Sequence, residues 1–240
     1  MIEKSKGIVF NQFKYSETSI ITTIYTEKYG RLSFIINGAR SIKAKIKANI
    51  FQPLTVIEFD FYYNKRNHLQ RIKEIRLIFP FNSIPFNVYK CTIALFLAEI
   101  LEKTIREEEP NTHLFSFIFD SVLLLDLSEG NTSNIHLNFL FGLTKHLGFY
   151  PHNNYSETNR YFNIKEGMFV SYYSSQSYCI NEELSKYFSH FLSPEQTKIE
   201  LNQLSRNKML ENLLNYYYIH LESIKEIQSF RVLKEVFGKN

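Results

Sequence analysis

The hydrophobic period changes near residue 80, and that change narrows the fold more than any other feature of the chain. Between residues 54 and 63, Ile57, Phe59, Phe61 and Tyr63 fall on one face of an extended segment. Glu58, Asp60 and Tyr62 fall on the other, the period-two signature of a half-buried strand. After Pro80 and Pro85, Ala94, Leu97, Ala98, Leu101 and Ile105 recur at helical spacing. A β-rich part followed by a helical part is therefore expected.

Residues 7–13, 19–26, 32–36, 54–63 and 69–78 read as five short strands, rich in the Ile, Thr, Phe and Tyr that suit a pleated surface. Gly30 supplies a positive φ for one turn, Asn37-Gly38 stops the third strand, and Asn64-Lys65-Arg66-Asn67 forms a hairpin loop. Five strands in so short a span predict an α+β protein with an N-terminal OB-fold barrel, an SH3-like barrel being the architectural rival. The barrel is assigned residues 1–80 and a mainly helical domain residues 81–240, with an irregular insertion at about 150–180.

In the second part, residues 114–127 are apolar on most sides and predict the buried central helix of a bundle. Residues 135–147 predict a third helix, ended by Gly148. Residues 151–177 are rich in Asn, Tyr and Ser and predict an excursion with a short hairpin within 161–173. Asn181 caps a short helix, and Ser193-Pro194-Glu195-Gln196 reads as a helix start. Leu210, Leu213, Leu214, Tyr217, Leu221 and Ile224 form the stripe of the last long helix.

Charge divides at the same place. Residues 1–80 hold 14 Lys and Arg against 6 Asp and Glu; residues 81–240 hold 14 against 18. Lys-rich composition alone would not produce that split, so the basic part is expected to face a polyanion. The interval 37–51 contains no acid while carrying Arg40, Lys43, Lys45 and Lys47. In an extended segment the 43, 45, 47 spacing projects three lysines to one side, suited to successive phosphates. Arg31 begins strand three, Lys65 and Arg66 sit at the hairpin tip, and Arg71, Lys73 and Arg76 follow on the last strand. Tyr62 either stacks on unpaired bases or covers the barrel wall.

Other chemistry has little foothold. Cys91 and Cys179 stand far apart and outside any CxxC, and read as reduced thiols. His146, His152 and Cys179 are the nearest local metal candidates, without tight pairing. There is no G-x-S-x-G elbow, GxGxxG or GxxxxGK[ST]. The chain is expected to be no enzyme and to need no cofactor or metal. The longest apolar run is short and holds Asp120 and Asp126, so a soluble cytoplasmic protein without a membrane partner is expected.

The order Tyr15-Ser16-Glu17-Thr18-Ser19, Tyr25-Thr26-Glu27-Lys28-Tyr29-Gly30-Arg31, Asn37-Gly38-Ala39-Arg40-Ser41, Gln52-Pro53-Leu54 and Gln70-Arg71-Ile72-Lys73-Glu74 resembles the RecO family of bacterial recombination mediators. Leu147-Gly148-Phe149-Tyr150-Pro151 is similar to a later family segment. The resemblance implies an OB-fold that binds single- and double-stranded DNA. It also implies annealing of strands coated by single-stranded DNA-binding protein, partnership with RecR, and indirect help in loading RecA. It gives Arg31, Arg40 and Arg71 the DNA-contact role by motif, and Lys43, Lys45 and Lys47 by position.

Many relatives carry a four-cysteine zinc module where this chain has only Cys179. The resemblance therefore implies a metal-free excursion with Tyr161, Phe162, Phe169 and Tyr172 as core. It further implies docking of the acidic, apolar tail of single-stranded DNA-binding protein on the helical part, with Lys145, Arg160, Arg206, Lys208 and Arg231 as candidates. A protein-binding scaffold and an RNA-binding OB module are the rival functions.

Overall fold

The computed structural model describes residues 1–130, 132–173, 178–193, 199–222, 224 and 226–237. Strands β1 (Ile2–Lys14), β2 (Ile20–Thr26), β3 (Gly30–Ile36), β4 (Val56–Tyr62) and β5 (Leu69–Phe79) close into a barrel in the order β1-β2-β3-β5-β4. One contact, β3 with β5, is parallel; β1 pairs antiparallel with both β2 and β4. The protein is thus of the expected α+β class, an OB-fold-like barrel followed by helices.

β1 begins earlier than its apolar pattern shows. Ile2-Glu3-Lys4-Ser5-Lys6 alternates weakly, yet its backbone pairs in register with β4 from Ile2↔Tyr62 to Ile8↔Val56. Closure of the barrel, rather than propensity, holds these residues extended.

The interior is filled from β1 to β4 by Val9, Ile20, Ile24, Phe34, Ile57, Phe59 and Phe61, with the partly buried Ile72 and Ile75 of β5 packed against them. Phe34 meets Phe59 and Phe61 edge-on at 5.2 and 5.3 Å, the geometry that aligns ring edges with ring faces. The outer walls differ. All seven residues of β2 are buried, and the outward Tyr25 ring lies between Phe10 at 5.7 Å and Phe115 at 6.3 Å. Phe115 belongs to α2 (Thr112–Leu127), which follows α1 (Val88–Thr104). On the opposite wall, β5 leaves Arg71, Lys73, Glu74, Arg76 and Leu77 exposed.

α2 is not the buried centre of a bundle. Leu114, Phe115, Ile118, Val122 and Leu125 are buried, but Leu124 and Leu127 are 60% and 57% exposed. The polar residue goes inside instead. Asp126 accepts backbone N–H groups of Asn82, Ser83 and Ile84 at 2.8, 2.9 and 2.8 Å. Burial alone would push the Asp126 carboxyl up, but these donors outweigh it and hold the carboxyl below its usual range. The buried Lys90 ammonium spends its three donors on Ser83 Oγ, Asp126 O and Ser128 O, at 2.7, 2.9 and 2.7 Å.

Contacts group Met1–Glu129 with Ile227–Val236 as one compact unit and Gly130–Glu226, with Phe237 onward, as another. In the first unit, α6 (Ser229–Phe237) is begun by the carboxylate of Glu99 on α1, which accepts the N–H groups of Gln228 and Ser229 at 2.9 and 2.8 Å. The helix is amphipathic, with Phe230, Leu233 and Phe237 at helical spacing, but its cap comes from a distant part of the chain.

The second unit holds α3 (Ile135–His146), a hairpin of β6 (Tyr161–Asn163) and β7 (Met168–Val170), α4 (Glu182–Leu192) and α5 (Gln203–His220). Asn181 caps α4 as expected, accepting from Leu184 N at 2.9 Å. α5 starts at Asn202, whose side chain accepts from Ser205 N at 2.8 Å. Apart from Ser193, the start expected at 193–196 lies outside the described residues. α5 also stops at His220, before the Leu221 and Ile224 of the anticipated stripe.

The excursion packs on its own phenylalanines. Phe162 and Phe169 are 0% and 1% exposed, 5.1 Å apart, and Phe162 stacks on Phe188 at 4.8 Å. Tyr172, expected in that core, is 59% exposed. The position does not fit a four-thiolate zinc site: Cys179 is its one cysteine, and the centre is occupied by rings. Among the described residues no group of three His, Cys, Asp or Glu is placed to hold a metal ion. No described helix is long and apolar enough to cross a membrane.

Candidate nucleic-acid interface

The connection after β3 is a built loop. Gly38 takes φ 69°, and Ser41 N–H donates to Gly38 O at 3.0 Å. Arg40 N–H donates to Thr18 O at 2.9 Å, and its guanidinium donates to Glu17 O at 3.2 Å. These bonds tie the loop to the turn between β1 and β2. Ala48 N–H reaches back to Ala39 O at 3.0 Å and closes it. Ala39 and Phe51 are buried at the barrel end, with Ile46, Ala48 and Ile50 packed against them.

That packing decides where the charge goes. With Ile46 and Ala48 turned to the barrel, Lys43, Lys45 and Lys47 are all exposed. The backbone differs from the extended run expected of it. It is a succession of turns ending in a single 3₁₀ turn at Ala48–Phe51, because the chain must double back from β3 to β4. Among the described residues these three lysines make no ion pair, whereas Lys4 pairs with Glu58 at 2.9 Å, Lys103 with Glu99 at 2.6 Å, and Arg76 with Glu58.

The other basic residues spread along one wall. Ile20↔Ile36 pairing puts the β1–β2 turn and the 37–55 loop at one end of β3. The parallel Ser33↔Leu69 register puts the β4–β5 loop, with Lys65 and Arg66, toward the other end. At roughly 3.3 Å per residue the two ends are about 20 Å apart. Arg71 lies between them, beside Ile35 on one side and the 50%-exposed Tyr62 on the other. Lys73 follows, exposed. The carboxylates of Glu58, Asp60 and Glu74 lie on the β4 side, where Lys4 and Arg76 partly neutralise Glu58.

Two residues have roles that composition did not disclose. Arg31 is half-buried, donating to Glu102 O and Ile105 O at 2.8 and 2.7 Å with the Glu102 carboxylate at 3.7 Å. Its guanidinium caps the end of α1, so it is committed to the barrel–helix junction. The buried Gln70 accepts from Asn64 N at 3.0 Å and donates to Asn64 O and Asn67 O at 2.9 and 2.6 Å. It thereby shapes the loop that presents Lys65 and Arg66. A lone Gln at the start of a strand carries no signal of this in sequence.

In the second unit, Arg206 donates to Leu201 O and Asn134 Oδ1 at 2.7 and 3.1 Å, and Arg160 pairs with Glu182 at 3.2 Å. Lys145 and Lys208 are exposed. Beside α4, Tyr155, Lys186, Tyr187, His190 and Ile199 line an open hollow that places one lysine against apolar and aromatic surface.

The sequence of the chain is matched by known proteins along nearly its full length. The family models for Recombination protein O N terminal and Recombination protein O C terminal match residues 1–81 and 85–226. The chain is 38% identical to the DNA repair protein RecO of Bacteroides fragilis over 241 residues, covering 99% of this chain and 100% of the relative. It is 35% identical to that of Phocaeicola vulgatus over the same shares. To that of Flavobacterium psychrophilum it is 36% identical, over 98% of this chain and 99% of the relative.

Proposed function

The chain belongs to the RecO family of DNA repair proteins, and from that premise we propose that it is a recombination mediator which binds DNA through its barrel and anneals complementary strands. The observation that carries the reading is the exposed, acid-free loop of Arg40, Lys43, Lys45 and Lys47, held by backbone bonds against the barrel. Lys65, Arg66, Arg71 and Lys73 extend it along the free wall. Arg31 is left out of the DNA set, being occupied at the helix junction.

Annealing needs no bond to be made or broken. Two polyanions must approach, and their bases must remain free to pair. Cations that meet phosphates lower the repulsion and release counterions, while leaving base edges available. The functional division runs at about residue 80: the barrel serves DNA, and the acidic remainder serves protein partners in the cytoplasm. Those partners are RecR, single-stranded DNA-binding protein and, indirectly, RecA. The hollow beside Lys186 offers the acidic, apolar tail of single-stranded DNA-binding protein one cation next to aromatic surface.

The test is annealing of complementary strands precoated with the cognate single-stranded DNA-binding protein. Wild type accelerates it, and combined Arg40, Lys43, Lys45 and Lys47→Ala replacement abolishes the acceleration. Unchanged annealing by the folded quadruple variant removes this loop from the mechanism. A strong preference for RNA over DNA of equal sequence turns the reading to an RNA-binding module.

A further inference from the structure

Within the basic loop one side chain contradicts its surroundings. Ile42 is 99% exposed. The loop's other isoleucines find the barrel: Ile46 and Ile50 pack against the core beside Ala48, and Ala39 is 3% exposed. Ile42 occupies a hydrogen-bonded turn, in which Ala44 N–H donates to Ser41 O at 3.2 Å. Turn corners favour Gly, Pro, Asn, Asp and Ser, and a β-branched residue gains nothing there. Ile42 thus adds neither packing nor turn stability to the fold.

Its neighbours indicate the ligand. Arg40 stands on one side and Lys43 on the other, both exposed. Arg40 is fixed through its backbone and guanidinium to the β1–β2 turn, so the corner projects from an anchored base. A ligand that satisfies cations at both flanks and an aliphatic side chain between them is anionic along its edge and apolar in its middle. Single-stranded nucleic acid has that character, with phosphates outside and base faces within reach. Apolar side chains inserted at base steps are a known device of DNA-binding proteins.

We propose that Ile42 is a base-contacting wedge, which inserts against unpaired bases of single-stranded DNA while Arg40 and Lys43 hold the flanking phosphates. The proposal rests on the DNA-binding reading above and assigns the loop a contact that phosphate neutralisation does not supply. The wedge keeps neighbouring bases unstacked, which favours their pairing with an incoming strand.

The test compares wild type with Ile42→Ala on two probes of equal length, an oligodeoxythymidylate and a phosphodiester strand of abasic sugars. A side chain this exposed can be trimmed without disturbing the fold. Ile42→Ala is expected to bind the base-bearing strand about tenfold more weakly, the effect of withdrawing one aliphatic side chain from an apolar contact. Its salt dependence stays unchanged, and on the abasic strand the two proteins bind alike. Equal binding to the base-bearing strand, or an equal loss on both strands, overturns the wedge. Failure of the DNA-binding reading looks different: wild type and the quadruple Arg/Lys→Ala variant then bind DNA alike. Anionic phosphatidylglycerol vesicles are the counter-probe. Ile42-dependent vesicle binding with Ile42-independent DNA binding assigns the side chain to a membrane and overturns the proposal.

Discussion

His136 shows how one buried group sets a pH limit. The ring is 2% exposed. Burial, reinforced by the nearby Arg206 charge, pushes its pKa down to about 3 from an ordinary 6.5. The unfolded chain therefore takes up a proton in a range where the folded protein does not. Stability is full above pH 6.5 and falls as pH drops from there toward 3, by about 1.4 kcal/mol per pH unit from this group. His136→Gln should flatten that fall in denaturant titrations at pH 7, 6 and 5; parallel curves for the two proteins would refute it. Asp126 carries the same lesson about what a sequence discloses. Side-chain polarity marks Leu124 and Leu127 for burial and Asp126 for solvent; the structure reverses them, because Asp126 lies in helical register with the buried Phe115, Ile118 and Val122 and three N–H groups converge on its carboxylate. Hydrophobicity is legible residue by residue; the partner that makes a buried charge tolerable is not.

The strands were legible because alternation and turn residues agree: the Asn37-Gly38 turn and the β4 alternation appear where the residues place them. Gly30 also has its positive φ, 64°, but for a second reason that no local pattern contains. A Cβ there would stand 2.5 Å from Glu109 O and 2.7 Å from the Glu108 carbonyl carbon, so the α1–α2 connection lies directly on the β2–β3 turn. Gly30→Ala should therefore cost about 2–4 kcal/mol, from backbone strain plus the displaced connection. A loss below 1 kcal/mol in chemical denaturation would show that the connection yields. The basic loop was legible in charge but not in conformation. Its lysines are exposed as a consequence of Ile46, Ala48 and Phe51 plugging the barrel, a tertiary fact. The bonds of Arg31 were not legible for the related reason that the carbonyls at the end of α1 lie some 70 residues away, at separations of 71 and 74.

Across the molecule, the asymmetry of charge is the feature that survives from sequence to structure. The cations proposed to contact DNA lie on one exposed wall and in two loops, while the covered wall is closed by Tyr25, Phe10 and Phe115. Packing and function divide the chain at different places: the compact unit runs to Glu129 and regains Ile227–Val236, whereas the proposed DNA contacts end at Lys73. The helices against β2 thus belong to the same compact unit as the wall proposed to face DNA, which no count of charges reveals. The account is tested most directly by the salt dependence of single-stranded DNA binding, measured for wild type and for the combined Arg40, Lys43, Lys45 and Lys47→Ala variant. Four lost phosphate contacts predict a slope of log affinity against log salt that is shallower by about 3. An unchanged slope in the folded variant would contradict it.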